Sequence, residues 1–232
     1  MRLREAFFVI FVSNNTSMES ALPQLTAEEQ RVLGALIEKS KTTPDYYPLT
    51  LNALVTACNQ KSARNPVVEY DEETVVLALD SLKRKHLSAN VIGASGSRAL
   101  KYRHAIAVHY PLDPAETSVL CLLLLRGPLT AGEINSNSGR LHDFEDLAEV
   151  QQTLENLAGY DVPFVEQLPR KPGQKEARYC HLFAPVPEFD ESSYASEPAR
   201  KNVSELEARL TKVETELEEL KALVDKLMTD LY

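Results

Sequence analysis

The sequence predicts a mainly helical α+β protein that consists of two similar small domains and a long C-terminal helix. Two observations lead to this fold class. First, an order of three helix patterns followed by a hairpin pattern occurs twice, at an offset of about 80 residues. Second, apolar residues near the C terminus repeat with heptad spacing. We therefore expect a duplicated body followed by a coiled coil.

The composition is that of an ordinary globular protein, because 44% of the 232 residues are hydrophobic and 25% are charged. The net charge of −9 argues against a protein that coats nucleic acid by bulk electrostatic attraction. No apolar run approaches the roughly 20 residues of a membrane-spanning helix, so we expect no membrane partner. Cys58, Cys121 and Cys180 are widely spaced, which excludes a disulfide scaffold and a thiolate zinc site. This cysteine usage favours the cytoplasm.

Residues 1–24 are predicted to be an N-terminal extension without regular structure. Residues 6–12 (AFFVIFV) resemble the apolar core of a signal peptide, but no small-residue cleavage motif follows them closely. Met18 stands just before the patterned region, so residues 1–17 are also interpretable as a segment upstream of the true start. Both interpretations stay open, and the second is favoured.

Residues 25–112 are predicted to form the first domain. Thr26 and Glu29 have the spacing of a helix capping box, Thr50 opens a short second helix, and Asp71 is placed to cap a third. Alternating residues on both sides of a Gly-Ser turn predict a β-hairpin between residues 90 and 110. Three helices followed by a hairpin is the order of a winged helix.

Residues 113–184 repeat this order. Asp113 and Pro114 open a helix, and Thr130 and Glu133 form another capping box. A third helix pattern covers residues 144–157, and a second hairpin pattern covers residues 164–183. The sequence therefore predicts two tandem winged-helix domains.

A linker is predicted at residues 185–198, where proline, serine and acidic residues are frequent. Residues 199–232 are predicted to form a coiled coil, because apolar residues recur there at alternating steps of three and four. We expect a parallel homodimer, and an antiparallel or intramolecular packing of the helix is the alternative. The predicted dimerisation residues are Val203, Leu206, Leu210, Val213, Leu217, Leu220, Val224, Leu227 and Leu231.

The distribution of charge indicates which domain is suited to DNA. Residues 26–112 carry 11 basic and 9 acidic side chains, whereas residues 113–190 carry 6 basic and 13 acidic ones. Phosphate contacts supply most of the affinity of a DNA-binding domain, so the first domain is the better candidate. Its candidate DNA contacts are Lys61, Arg64, Lys83, Arg98, Lys101 and Arg103.

Two features of the first domain oppose DNA binding. The third helix starts with Asp71, Glu72 and Glu73, whose carboxylates would face phosphates if that end entered the major groove. In addition, Asn59 suits a left-handed cap of the second helix and Pro66 restricts the next turn, so the loop that carries Lys61 and Arg64 is also interpretable as purely structural.

The second domain has a basic hairpin but an acidic third helix. We also include its hairpin residues Arg170, Lys171, Lys175 and Arg178 among the candidate nucleic-acid contacts. The acidic helix favours a basic protein partner over nucleic acid.

No enzyme motif occurs in the sequence. The five histidines are scattered without a metal-binding spacing, and neither a Gly-rich phosphate loop nor a GxSxG motif is present. Cys58 and Cys121 lie among apolar residues, as small core residues do. We therefore predict no catalytic residue, no metal and no cofactor.

Several longer motifs carry a family resemblance: residues 57–67 (ACNQKSARNPV), 124–127 (LLRG), and 172–183 (PGQKEARYCHLF). With these motifs the chain resembles the YceH family, bacterial tandem winged-helix proteins of uncharacterised function. The family tends to carry arginines after the motif Gly132-Glu133, but this chain has Ile134, Asn135 and Ser136 there. The resemblance implies the fold and leaves the function open.

Two functional hypotheses follow. The first is a DNA-associated or transcription-regulating adaptor that contacts DNA through the first domain. The alternative is a dimeric scaffold whose winged helices bind protein partners and not DNA.

Overall fold

The computed structural model describes residues 21–92, 100–170 and 176–186, together with Lys212, Thr215 and Lys221. The chain divides into two compact units, Met1–Val186 and Pro187–Tyr232. In the second unit, the three described residues are helical and exposed. The predictions for residues 1–20, Arg98, Lys171, Lys175, residues 187–198 of the linker and the coiled coil of residues 199–232 lie outside the described residues.

The described part of the first unit is an α+β structure with two halves. The first half contains α1 (Ala27–Thr42), a 3₁₀ turn (Pro44–Tyr46), β1 (Leu49–Thr50), α2 (Leu51–Cys58), α3 (Glu72–Arg84), β2 (Ser88–Ile92), β3 (Leu100–His104) and α4 (Ile106–His109). The second half contains α5 (Pro114–Arg126), β4 (Leu129–Thr130), α6 (Ala131–Ser138), α7 (Leu147–Ala158), β5 (Val165–Gln167) and β6 (Arg178–His181).

The helices start where the capping residues predict. Thr26, Thr50 and Asp71 each accept a hydrogen bond from the backbone amide three residues later, and Asp113 and Thr130 do so in the second half. Each of these contacts satisfies an amide that has no partner within its own helix.

The first hairpin is shorter than predicted. Its second strand ends at His104, and residues 106–109 form α4 instead of continuing the strand to residue 110. The amide of Ala105 donates to the carbonyl oxygen of Leu87 at 2.8 Å, and the next side chain, Ile106, is fully buried. The chain thus leaves β3 and buries Ile106 at the start of α4, at a position where the alternating pattern predicts that the strand continues.

The two halves share one sheet topology. The strand orders are β1-β3-β2 and β4-β6-β5, and all pairs are antiparallel. The short first strands have equivalent registers, because Leu49 pairs with Tyr102 and Leu129 pairs with Tyr179. The predicted repeat of helices and strands is therefore present in the structure.

The two halves bury a common hydrophobic core in which α1 packs against α5. Gly34 permits the close approach, because a Cβ atom at this position would lie 2.8 Å from side-chain carbons of Leu125. The Cys121 thiol lies 3.4 Å from the carbonyl oxygen of Gly34. Gly34 is eight residues after the cap Thr26 and Cys121 is eight after the cap Asp113. Equivalent positions of the two helices therefore meet at the contact between the halves, here called the seam.

The segment before α1 belongs to the core. Leu22, predicted to lie in the unstructured N-terminal extension, is buried. The amide of Leu25 donates to the carbonyl oxygen of Phe183 at 2.6 Å. This segment contacts the end of the second half, a contact that no local pattern predicts.

Candidate functional site

The loop between α2 and α3, residues 59–71, is held by Arg64. The Arg64 guanidinium donates to both carboxylate oxygens of Glu38 in α1, with Nη1–Oε1 and Nη2–Oε2 distances of 3.0 and 2.6 Å. It also donates to the carbonyl oxygen of Ala57 at 2.9 Å. Burial by itself raises the pKa of Glu38, but the hydrogen bonds and the charge of Arg64 outweigh burial and hold that pKa below its ordinary value.

The structure corrects the prediction that Arg64 contacts DNA. Its side chain is 0% exposed and that of Glu38 is 13% exposed. An enclosed guanidinium that is already paired with a carboxylate cannot reach a phosphate. Lys61 lies in the same loop and is exposed.

Other contacts also give the loop a structural role. Buried Arg31 donates to the carbonyl oxygen of Cys58 at 3.1 Å, and the Asn59 side chain bonds both the amide and the carbonyl oxygen of Tyr70. The predicted left-handed conformation of Asn59 is wrong, since its φ is −88°. Ala63 has a φ of 58° and takes the left-handed turn instead.

The same loop reaches across the seam. The amide of Asn65 donates to the carbonyl oxygen of Leu125 at 2.9 Å, and its side-chain Nδ2 donates to the carbonyl oxygen of Arg126 at 3.3 Å. The sequence motif of residues 57–67 therefore links α1 and α2 of the first half to the end of α5.

A second arginine–carboxylate pair lies in the second half. Arg178 donates to both oxygens of Glu133, with distances of 2.9 Å each, and to the carbonyl oxygen of Pro128 at 2.9 Å. The Arg178 and Glu133 side chains are 20% and 33% exposed. Arg178, a predicted nucleic-acid contact, is thus largely occupied by partners within the protein, and Glu133 was missed because its capping role accounts for it in the sequence.

The remaining described basic candidates lie on separate elements. Lys83 is exposed near the end of α3, and Arg170 is exposed after β5. Lys101 and Arg103 lie two residues apart on β3, so their side chains project from the same face of the strand; Arg103 is exposed and Lys101 is half-buried. Apart from this pair on β3, the structure does not bring the predicted cations together on one element.

The third helices of the two halves present acidic and apolar groups to solvent. On α3, Glu73 and Asp80 are exposed, and Leu77 between them is 62% exposed. On α7, Leu147 is exposed near the first turn, and residues 147–158 include no lysine or arginine. Exposed Lys83 and Arg84 are confined to the last turn of α3, and the remaining exposed positions of both helices are poorly matched to phosphates.

Each sheet carries a histidine at the end of the strand that lies at its centre: His181 is buried and His104 is half-buried. His104 and His181 both lie two residues after the tyrosine that pairs with the short first strand. Burial lowers the pKa of each to about 4, and for His104 the nearby charges of Lys41 and Arg103 act in the same direction. In each ring Nδ1 is buried and has no hydrogen-bond partner among the described residues.

The cysteines are part of the core. Cys58, Cys121 and Cys180 are buried and unpaired. Burial raises the pKa of Cys58 to about 12 and that of Cys121 further, which opposes formation of a nucleophilic thiolate. The prediction that Cys58 and Cys121 are small core residues is confirmed.

These observations define a class: an α+β protein whose two similar halves share one core, with acidic third helices and a loop that joins the halves. Within the described ranges, no helix has the length and apolar composition needed to cross a bilayer.

A family model described as "Protein of unknown function, DUF480" matches residues 25–174. The chain is 48% identical over 207 residues to a UPF0502 protein of Geotalea uraniireducens, covering 85% of this chain and 94% of that relative. It is 50% identical over 181 residues to a UPF0502 protein of Opitutus terrae, covering 78% of each chain. It is 44% identical over 217 residues to the UPF0502 protein Shewana3_1622 of Shewanella sp. strain ANA-3, covering 90% of this chain and 99% of that relative. The chain belongs to this DUF480 family, which is the YceH family of the predicted resemblance.

Proposed function

We propose that this protein is a non-enzymatic, cytoplasmic adaptor in which two tandem winged helices dock protein partners. The repeated order of three helices and a three-stranded antiparallel sheet supports the winged-helix assignment of each half. The buried, protonated thiols support a reducing location.

The exposed face of α3 is the observation that carries the docking proposal. In a winged helix that binds DNA, the third helix enters the major groove. Here that helix presents Leu77, 62% exposed, between the exposed carboxylates of Glu73 and Asp80. Carboxylates repel phosphates, whereas an exposed leucine gains free energy when a partner covers it.

The face also indicates the chemistry of the partner. A segment that covers Leu77 needs an apolar side chain, and one that lies beside Glu73 and Asp80 needs lysine or arginine nearby. We therefore propose a basic protein segment with an apolar anchor as the occupant of α3. Such a contact weakens as salt concentration rises, because the charged rim is solvent-exposed.

Dimerisation through the heptads of residues 199–232 is part of the proposal. Two copies would present two α3 faces, which raises the effective concentration for a bivalent partner. Deletion of residues 199–232 should halve the mass measured by light scattering. A truncated chain that stays dimeric would locate the interface elsewhere.

DNA association is a second candidate, and one observation favours it. Lys101 and Arg103 share a face of β3, which is the wing strand of a winged helix and contacts the DNA backbone in many such domains. With this geometry the wing, and not the acidic α3, would carry the binding.

One experiment separates the two candidates. The tagged full-length chain is used to capture ligands from a lysate with and without nuclease, and each captured protein is then purified and titrated. We expect a basic protein whose capture persists after nuclease treatment. It should bind the variants Leu77→Ser and Asp80→Lys at least about tenfold more weakly than it binds the parent. Val108→Ser is the matched control, because Val108 is 71% exposed on α4 and lies off the α3 face.

The opposite results are equally specific. A captured protein that binds Leu77→Ser and Asp80→Lys as well as the parent contradicts the docking proposal. If the parent enriches DNA and the variants Lys101→Ala and Arg103→Ala do not, the second candidate is supported. Each substitution should then reduce the slope of log K against log salt concentration by about one.

A further inference from the structure

Arg126, the last residue of α5, occupies the position equivalent to Lys39 in α1. Each is thirteen residues after its helix cap, Asp113 or Thr26. Lys39 has acceptors, because its Nζ lies 3.3 Å from an oxygen of Glu38 and 3.3 Å from Oε1 of Gln60. Leu125 stands in α5 where Glu38 stands in α1, so Arg126 lacks the adjacent carboxylate that its counterpart has.

The two carboxylates whose charges act on Arg126, Glu38 and Glu133, already pair with other cations. Glu38 accepts a bidentate pair of hydrogen bonds from Arg64, and Glu133 accepts a bidentate pair from Arg178. Glu133 also accepts from the amide of Thr130 at 2.9 Å. Each pair is connected to the backbone close to Arg126. Asn65, which follows Arg64 in the loop, donates to the carbonyl oxygen of Arg126, and Arg178 donates to the carbonyl oxygen of Pro128.

One buried donor of the half-buried Arg126 side chain consequently lacks an acceptor. Its Nε is buried without a hydrogen-bond partner, and its guanidinium forms no hydrogen bond or ion pair with any residue in the described ranges. Burial, and next the charge of Arg64, lower the pKa of Arg126, while Glu38 and Glu133 act in the opposite direction. A partly buried donor group without an acceptor is costly and unusual in a folded protein.

The charges at this part of the seam do not balance. Four cations, Lys39, Arg64, Arg126 and Arg178, stand against the paired carboxylates of Glu38 and Glu133 and the exposed carboxylate of Glu176 beside Gly132. An anionic ligand would neutralise the excess positive charge. Oxygens of a tetrahedral oxyanion also match the planar fork of a guanidinium.

We infer that Arg126 anchors a binding site for a phosphate group at the seam, beside Asn65 and Pro128. The phosphate is inorganic phosphate or the phosphate monoester of a small molecule. Because the site contacts the loop of residues 59–71 and the end of α5, bound phosphate would strengthen the link between the halves. Phosphate binding at Arg126 requires neither a protein docked on α3 nor DNA at β3.

Isothermal titration of the full-length chain with sodium phosphate at constant ionic strength tests the site. We expect saturable binding by the parent and binding weakened at least about tenfold in Arg126→Gln, since a charge-assisted hydrogen-bonded pair is lost. Arg126→Lys keeps the charge without the fork and should bind with intermediate affinity. Arg84→Gln is the matched control, because Arg84 ends α3 on an exposed surface.

Hydrogen–deuterium exchange of the parent supplies a readout that needs no variant. Added phosphate should slow exchange at the amides of residues 63–65 and 124–127. A parent that shows no saturable heat with phosphate, or protection confined to other segments, overturns the site. Equal phosphate affinity of the parent and a folded Arg126→Gln variant also overturns it. Parallel titrations with phosphate and with a phosphomonoester identify the preferred source.

Discussion

The two halves of the first unit have the same strand order and the same kind of helix caps, but they use their arginine–carboxylate pairs differently. Glu38 and Arg64 are enclosed in the first half, whereas Glu133 and Arg178 stay partly in contact with solvent in the second. Both pairs are bidentate. The comparison shows that burial, and not hydrogen-bond geometry, distinguishes the energetic roles of the two pairs.

The largest expected effect comes from breaking the enclosed pair. Arg64→Gln removes the enclosed guanidinium and leaves largely enclosed Glu38 with Lys39, at 3.3 Å, as its remaining counter-charge, which should cost about 3 kcal/mol of unfolding free energy. Arg178→Gln leaves Glu133 partly solvated and should cost no more than about 1 kcal/mol. Urea denaturation followed by circular dichroism measures both. Equal losses for the two variants would contradict the distinction drawn from burial.

The half-buried His104 and the buried His181 sharpen the comparison through their response to pH. The pKa of His104 and of His181 is about 4 in the folded chain and about 6.5 when unfolded, so the unfolded chain binds more protons between these values. Titration of each histidine therefore leaves the unfolding free energy unchanged above pH 6.5 and lowers it as the pH falls from 6.5 toward 4. The loss is up to about 3 kcal/mol for each ring.

Single variants separate the two contributions. His104→Gln and His181→Gln should each remove part of the pH dependence of unfolding free energy between pH 6.5 and 4, and the double variant should remove both parts. Added salt should reduce the contribution of His104 more than that of His181, because exposed Lys41 and Arg103 contribute only at His104. An unchanged pH dependence in the double variant would refute the assignment.

A smaller effect tests the close approach of α1 and α5. Gly34→Ala places a Cβ atom 2.8 Å from side-chain carbons of buried Leu125, which must then move. The cost of this movement should outweigh the gain in helix propensity, for a net loss of about 1 kcal/mol of unfolding free energy. Gly139→Ala is the control, because no atom lies within 4 Å of the added Cβ and its φ of −49° suits alanine. Thermal unfolding of both variants measures the difference. A Gly34→Ala variant that is more stable than the parent would contradict this expectation, because α1 and α5 would then accommodate the added methyl group without a net cost.

Local sequence signals predicted much of the fold. The caps at Thr26, Asp71, Asp113 and Thr130 each depend on contacts within four residues, so they could be recognised without tertiary information. The limit appears at Ile106, where an alternating pattern suggests strand but a buried side chain starts a helix. Periodicity alone does not distinguish these outcomes when the apolar segment is short.

The candidate sites were harder to predict, because charge in a sequence does not reveal its partner. Lys61 and Arg64 are equally cationic and three residues apart, yet one is exposed and the other is enclosed by Glu38, a residue 26 positions earlier. The histidines His104 and His181 gave no signal either, since their burial results from the packing of separate elements. Arg126 likewise became notable only when the occupied carboxylates around it were known.

The sequence by itself determined the α+β class, the repeat of helices and strands, the caps and the family, because these depend on spacing and on local hydrogen bonds. Tertiary structure decided that the halves share a core through Gly34, that Arg64 is internal, and that α3 presents Leu77 to solvent. These outcomes depend on which distant residues meet, and desolvation then sets whether a charge is a surface group or an internal support.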